Sequence, residues 1–486
     1  MLQPVRQIQP EPAYPPPSIK SALGQYMTPS HIAIFMASLF SKKEGQIYLL
    51  DPGAGQGSLS RAFLKKWDDG SFNFQSGTID VFDIDSNMLS LFTKNLEEDK
   101  LDLPLSVNVQ HGDFIEIAVL KILQKERPYT HAIINPPYKK IHGKSRHRAL
   151  LRDVGIETVN LYSAFVALSL AMLSSGGQLV AIIPRSFCNG PYYKPFREYI
   201  LRRASVLHIH LFEARNKAFK ADNVLQENIV LMLERDALQG AITISASTDD
   251  SMSDYAAMSR PFTDIVRPGD PEVFFHIPLR EEDAGDRPGI LCHSLAEIGL
   301  EVSTGPVVDF RMKKYLRPLP KPGDAPLLYS AHFKGAGEWP IAGFKKSNAI
   351  ACSLETMKWL YPNGFYVIVR RMSSKEERRR IVANIVDPAR FPGMLWLGFE
   401  NHLNVFHSRK QGISEDIARG LTVYLNSSVA DSQFRRFNGH TQVNATDLRS
   451  LRYPARKKLE ALGQWAKEQK TLAQEAIDRI METILT

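Results

Sequence analysis

A doubly wound α/β sheet followed by a mixed α+β domain is the architecture this sequence predicts. Short apolar runs in the first half alternate with glycine-rich or polar turns and helical stretches, the pattern of βαβ units on a parallel sheet. Acidic residues close successive runs at Asp51, Asp83 and Asp113, about 30 residues apart, which is the length of one strand-helix unit. Beyond about residue 240 this alternation stops and Ser, Asp and Pro become frequent, marking a boundary. At 486 residues the chain exceeds what one hydrophobic core usually organises, so two domains and a terminal appendage are expected.

Taken in order, Pro4, Pro10, Pro12, Pro15, Pro16 and Pro17 exclude a helix from residues 1–18 and make them an extended leader. Residues 19–240 form the sheet domain. A helix begins after Thr28-Pro29, read as a cap and first-turn proline, and runs through 30–40 on helical apolar spacing. Strands are expected at 47–50, 78–82, 107–110, 132–134 and 178–183. The apolar run 161–173 is too short to cross a bilayer and reads as a buried helix. Residues 241–290 are expected to be a linker, 291–455 a second domain with short strands such as 365–369, and 456–486 a helical end. That end carries Leu459, Leu462, Trp465, Leu472, Ile477, Ile480 and Ile484 in helical rhythm.

Composition narrows the class. Apolar and charged fractions of 44% and 23% are those of a folded globular chain, and a net charge of +8 favours a polyanionic partner. Cys188, Cys292 and Cys352 share no metal-ligand spacing, so a reduced cytoplasmic protein without a metal is expected. No secretory signal opens the chain and nothing in it reads as a membrane span.

In open sheets of this kind ligands gather at the carboxyl ends of the strands. There, Asp51-Pro52-Gly53-Ala54-Gly55-Gln56-Gly57 joins a strand to a helix through a turn whose glycines let backbone approach a ligand closely. The spacing is not GxGxxG, and Asp51 would repel a pyrophosphate. It suits a cationic ligand with an amino-acid moiety, such as S-adenosylmethionine. Asp83, with Ile84 beside it, is placed to accept both ribose hydroxyls, Asp85 being the competing choice, while Asp113 would take the adenine amine and Phe114 pack on its ring.

The fourth strand runs directly into Asn135-Pro136-Pro137-Tyr138. Two prolines fix the backbone and remove its donors, so the Asn135 side-chain oxygen and the Pro136 carbonyl can each take one hydrogen of a planar NH2 group. Such a nitrogen is a poor nucleophile because its lone pair is delocalised. Holding both hydrogens favours rehybridisation and aims the lone pair at a methyl donor. Tyr138 would stack on the acceptor base. The proton can leave once the nitrogen is cationic, so no strong general base is required.

These residues resemble the gamma class of adenine-specific (N6) DNA methyltransferases of type II restriction-modification systems. The implied fold is a Rossmann-like class I S-adenosylmethionine-dependent methyltransferase domain with an α+β target-recognition domain. Gly24 to Pro29 looks like the class's amino-terminal motif, implying that Tyr26, Thr28 and Pro29 lie at the cofactor. Phe219 best resembles the aromatic residue that sandwiches the flipped base, with Phe212 as the alternative. Residues 302–311 and 437–448 look like recognition segments of the PstI and BsuBI group. The resemblance implies a double-stranded DNA partner and a cognate restriction endonuclease as genetic partner.

Lys139, Lys140, Lys144, Arg146 and Arg148, with the pairs and triplets at 345–346, 370–371, 378–380 and Arg435-Arg436, are candidate phosphate contacts. Asn438, His440, Thr441, Gln442 and Asn444 form a polar loop suited to DNA near the flipped base. The rival readings are cytosine-N4 methylation, methylation of a protein glutamine amide, and a non-catalytic DNA-binding subunit.

Overall fold

The five expected apolar runs are strands in the computed structural model, which describes residues 27–212, 227–278, 291–333 and 338–485. They are β1 (Glu44–Pro52), β2 (Asn73–Asp83), β3 (Leu105–His111), β4 (Tyr129–Ile134) and β5 (Leu173–Pro184). Between and before them lie α1 (Ser30–Ser38), α2 (Ser58–Asp68), α3 (Ser86–Asp99), α4 (Phe114–Leu123), α5 (Arg146–Asp153) and α6 (Leu161–Met172). A helix α7 (Lys194–Arg203) leads into β6 (Ala204–Phe212), followed by β7 (Asn228–Arg235), β8 (Ile242–Ser247) and β9 (Ala256–Arg260). The nine strands form one sheet in the order β3-β2-β1-β4-β5-β7-β6-β8-β9. The pairs from β3 to β5 are parallel and β7 is antiparallel to both its neighbours. The chain direction across the sheet reverses between β1 and β4, the switch point where such sheets bind ligands.

Packing follows from the apolar spacing. Ile32 and Met36 of α1, Phe63 of α2 and Phe92 of α3 share one core with Ile47, Leu49, Ile79 and Val81. Helix α6 is apolar all round, and its residues from Tyr162 to Met172 are buried, as such a helix requires.

The chain divides into two compact units, residues 1–185 with 195–262, and residues 186–194 with 263–486. Two boundaries differ from those expected. Strands β8 and β9 extend the sheet through residues assigned to a linker, because Ile242 and Ile244 are buried in the sheet. The helical end is no appendage, since Leu459, Leu462, Ile477 and Met481 share a core with Val367, Phe406 and Leu421. That second unit contains a four-stranded sheet (Glu301–Thr304, Leu403–His407, Tyr366–Arg370, Ala383–Val386, in that order) and a five-stranded one. No helix among the described residues is long and apolar enough to cross a membrane.

Three buried histidines in the first unit make its stability depend on pH. His208 Nε2 and His210 Nδ1 lie 2.6 and 2.8 Å from Ser245 Oγ, and His131 meets the Lys42 carbonyl at 3.0 Å. Burial pushes His131 and His208 down to about 4 and His210 to about 3. A lowered histidine stabilises the fold fully above its unfolded value of about 6.5, and that stability is lost as pH falls toward the folded value. Each can withdraw on the order of 2–3 kcal/mol by about pH 4. Burial raises Asp51 to about 7 and raises Asp83 as well, opposing changes of two carboxyl groups against three imidazoles. The urea midpoint is therefore expected to fall steadily from about pH 6.5 to 4.5, with a shallower slope in His210→Gln. A flat profile would show that these rings do not titrate on unfolding.

Candidate active site

The site is built where β1, β2, β3 and β4 end. Its cavity of about 250 Å³ is lined by Gly53, Ala54, Gly55, Asp83, Asp113 and Asn135, among others. The turn after β1 is held by its own backbone, Gly53 and Ala54 donating to the Phe82 carbonyl at 2.7 and 3.1 Å. Gly57 begins α2 at φ +89°, and a Cβ there would stand 2.5 Å from the Phe92 ring. Only glycine fits that backbone and that space.

The acids at the strand ends have different surroundings. Asp51 is fully buried behind the residues that line the cavity; its Oδ2 accepts from Ser60 Oγ at 2.5 Å while Oδ1 has no hydrogen-bond partner among the described residues. A buried carboxylate oxygen left unpaired is costly, and burial raises this group to about 7. Asp83 lines the cavity, its Oδ2 accepting from Gly55 N and Oδ1 from Asp85 N, both at 2.9 Å. These bonds fix the direction of the carboxylate at the cavity wall. Burial raises its pKa too. Asp85 caps α3 by accepting from Asn87 N, so of the two acids Asp83 is the one that faces the cavity.

Asp113 is doubly engaged. Oδ1 caps α4, accepting from Ile115 N and Glu116 N, and Oδ2 lies 2.7 Å from His147 Nε2. His147, on α5, also lines the cavity, and Arg146 beside it pairs with Glu116 at 3.1 Å. Arg146, expected at phosphate, thus ties α5 to α4. Phe114 forms an aromatic wall with Phe82 and Phe165, centroids 5.5 and 4.9 Å away.

At the end of β4, Asn135 Nδ2 donates to Thr28 Oγ1 at 2.9 Å. Tyr138 Oη donates to Asn135 Oδ1 and to the Ile182 carbonyl, each at 3.3 Å. Thr28, expected to cap α1, is instead 7% exposed and turned to Asn135, while Pro29 holds the cap position without a side-chain bond. Pro136 is buried, Pro137 lines the cavity, and Lys139 stands at its edge with Lys140 exposed beyond. Tyr26 and Phe219 lie outside the described residues.

The expected DNA loop has a different character in the second unit. Asn438 is 3% exposed; it donates to Asp447 Oδ2 and the Gln442 carbonyl and accepts from Arg380. Asn444 caps the helix Ala445–Arg449 in a capping box with Asp447. Asp447 is fully buried, takes a further bond from Asn189, and burial raises it to about 6. Arg435 is bonded to Asp431 and to the Lys375 and Glu377 carbonyls. Arg436 is half-buried, its carbonyl accepting from Ile277 N. His440 stacks on Tyr193 at 6.1 Å. Thr441 and Gln442 face solvent.

Sequence reading missed Met27, Ser58, Leu59, Met88, Ile115, His147, Leu161 and Phe165, which also line the cavity. Most are apolar residues on helices, indistinguishable in sequence from core. Ser58, directly after the glycine turn, carried a usable signal.

Residues 27–219 match the family described as Eco57I restriction-modification methylase. The chain is 49% identical over 477 residues to the type II methyltransferase M.BsuBI of Bacillus subtilis, covering 96% of this chain and 94% of that protein. It is 43% identical over 455 residues to the type II methyltransferase M.PstI of Providencia stuartii, covering 91% and 89%. Among solved structures it resembles the type IIL restriction-modification enzyme MmeI in complex with DNA. There the TM-score is 0.50 and the identity 10%, over 89% of this chain and 65% of that one.

Proposed function

Because the chain belongs to the type II methyltransferases of restriction-modification systems, we propose that it methylates the exocyclic N6 amine of an adenine flipped out of duplex DNA. The observation that carries this reading is the Thr28–Asn135 bond. With Nδ2 donating to Thr28, the amide is turned so that Oδ1 is the atom able to accept from a substrate amine, as is the Pro136 carbonyl. The Tyr138 hydroxyl on Oδ1 is 3.3 Å away, a long bond that an amine at shorter range can replace. Tyr138 would then be released to stack on the base. Extruding that base costs a few kcal/mol, which contacts elsewhere on the DNA must offset.

S-adenosylmethionine suits the residues at the strand ends, and when bound it supplies a methyl group on a cationic sulfur. The unpaired Asp51 Oδ1 fits a cationic amino-acid group, Asp83 a ribose, and Phe114 with Ile84 the faces of a purine. Asp113 Oδ2 must exchange His147 for the adenine amine. Asn rather than Ser at the head of the tetrapeptide favours adenine over cytosine-N4. A metal plays no part in this reading.

The test is incubation of the purified protein with methyl-labelled S-adenosylmethionine and plasmid DNA, followed by nucleoside analysis. Label in N6-methyladenine is expected. Label in N4-methylcytosine, or only in protein, would overturn the adenine assignment. The modified DNA should also resist a restriction endonuclease of the same site, the partner such an enzyme protects against.

A further inference from the structure

The second unit contains a groove of about 640 Å³ whose walls include Lys345, Lys346, Arg370, Met372, Asn384 and His402. We propose that His402, clamped by the buried Glu400, reads one base pair of the target site. This rests on the DNA-methylation reading above and assigns within it a residue that determines specificity.

His402 lies in the turn between the strands Trp396–Phe399 and Leu403–His407. The turn is fixed from several sides. Glu400 N donates to the Leu328 carbonyl, Asn401 N to the Val307 carbonyl, and Arg371 N to the His402 carbonyl. The Arg371 guanidinium holds the Asn401 carbonyl at 2.9 Å. Arg371, expected at phosphate, thus serves as scaffold.

On this platform Glu400 grips the ring. Its side chain is 1% exposed, and one oxygen accepts from His402 N at 3.0 Å while the other lies 2.6 Å from His402 Nδ1. The ring itself is 54% exposed. Burying a carboxylate costs free energy unless it is bonded, and here that burial is used to orient an otherwise solvent-facing imidazole. A carboxylate on Nδ1 sets the tautomer and the ring plane, so Nε2 becomes the ring's recognition atom. Met372, half exposed, lines the same groove and brings an apolar side chain suited to a thymine methyl. Of the groove's cations, Lys346 is paired with Asp309 and Arg370 with Glu377, and Lys345 can hold phosphate, whereas a rigid ring held by one edge is suited to a base edge in the major groove.

The experiment measures kcat/KM of wild type, His402→Ala and Glu400→Gln on duplexes carrying the mapped target site and every single-base-pair change within it. His402→Ala should lose about tenfold on the target site, the low end of the 1–3 kcal/mol per good base contact. Its discrimination should collapse at one position and remain at the others. Glu400→Gln should weaken discrimination at that same position. Base analogues there identify the partner: with its proton on Nδ1 the ring accepts at Nε2, so a base lacking the exocyclic amine at that position should remove the contact. Discrimination retained at every position, or lost equally at all, would overturn the assignment. Thermal unfolding of each variant verifies that the second unit, which carries both substitutions, is folded, and S-adenosylhomocysteine affinity that the first unit is intact. Wild type that methylates none of the duplexes would overturn the DNA reading itself, a separate failure.

Discussion

Asn135→Ala is expected to lower kcat for methyl transfer by about 10³-fold while changing the dissociation constant for S-adenosylhomocysteine by less than about threefold. The side chain provides a preorganised acceptor where charge develops on the nitrogen, and removing one such group typically costs about 10²–10³ in rate. It is one of many groups around the cavity, so cofactor affinity rests mainly on the others. Thr28→Val probes the same device one step back. Losing the hydroxyl that receives Nδ2 removes one restraint on the amide's orientation, and kcat should fall about tenfold with KM for the cofactor nearly constant. Thr28→Ser should restore it. An increase in KM with unchanged kcat would mean that Thr28 serves the cofactor and not Asn135.

Much of this site was legible in the sequence because its parts sit at strand ends, where polarity following an apolar run is itself the signal. Asp51, Asp83, Asp113 and Asn135 all stand there. What sequence could not separate were residues of like chemistry and unlike direction. Asp83 and Asp85 are two apart, yet one faces the cavity and the other caps a helix. Asn438 and Asn444 read as a solvent-facing polar loop. Their partners are a carboxylate a few residues onward and arginines far upstream, Arg380 and Arg371. A buried polar network and an exposed recognition loop draw on the same amino acids, and only long-range pairing tells them apart. The same blindness concealed β8 and β9, short strands that join the sheet at its edge.

Gly420→Ala is expected to destabilise the second unit by at least about 4 kcal/mol, although alanine is the better helix former by about 1 kcal/mol. Gly420 lies in the helix Glu415–Leu425 and Gly463 in the helix Arg456–Glu468, and the two pack backbone against backbone. A Cβ on Gly420 would stand 1.8 Å from the Leu459 carbonyl oxygen, and one on Gly463 1.9 Å from that of Asp416. Both obstacles are main chain and have no rotamer in which to retreat. The helices must separate, and the buried Ile417, Leu421, Leu459 and Leu462 would lose contacts along the whole seam. Overpacking a rigid core costs about 1–3 kcal/mol or more, and the voids opened beside it add to that. The propensity gain is outweighed several-fold. Thermal unfolding of Gly420→Ala should fall by about 10 °C, at roughly 2–4 °C per kcal/mol for a unit of this size. Gly240, where a Cβ meets nothing within 4 Å, provides the control and should tolerate alanine within about 0.5 kcal/mol. Gly420→Ala melting with wild type would mean that the helices are not in backbone contact and that the seam is held by side chains alone.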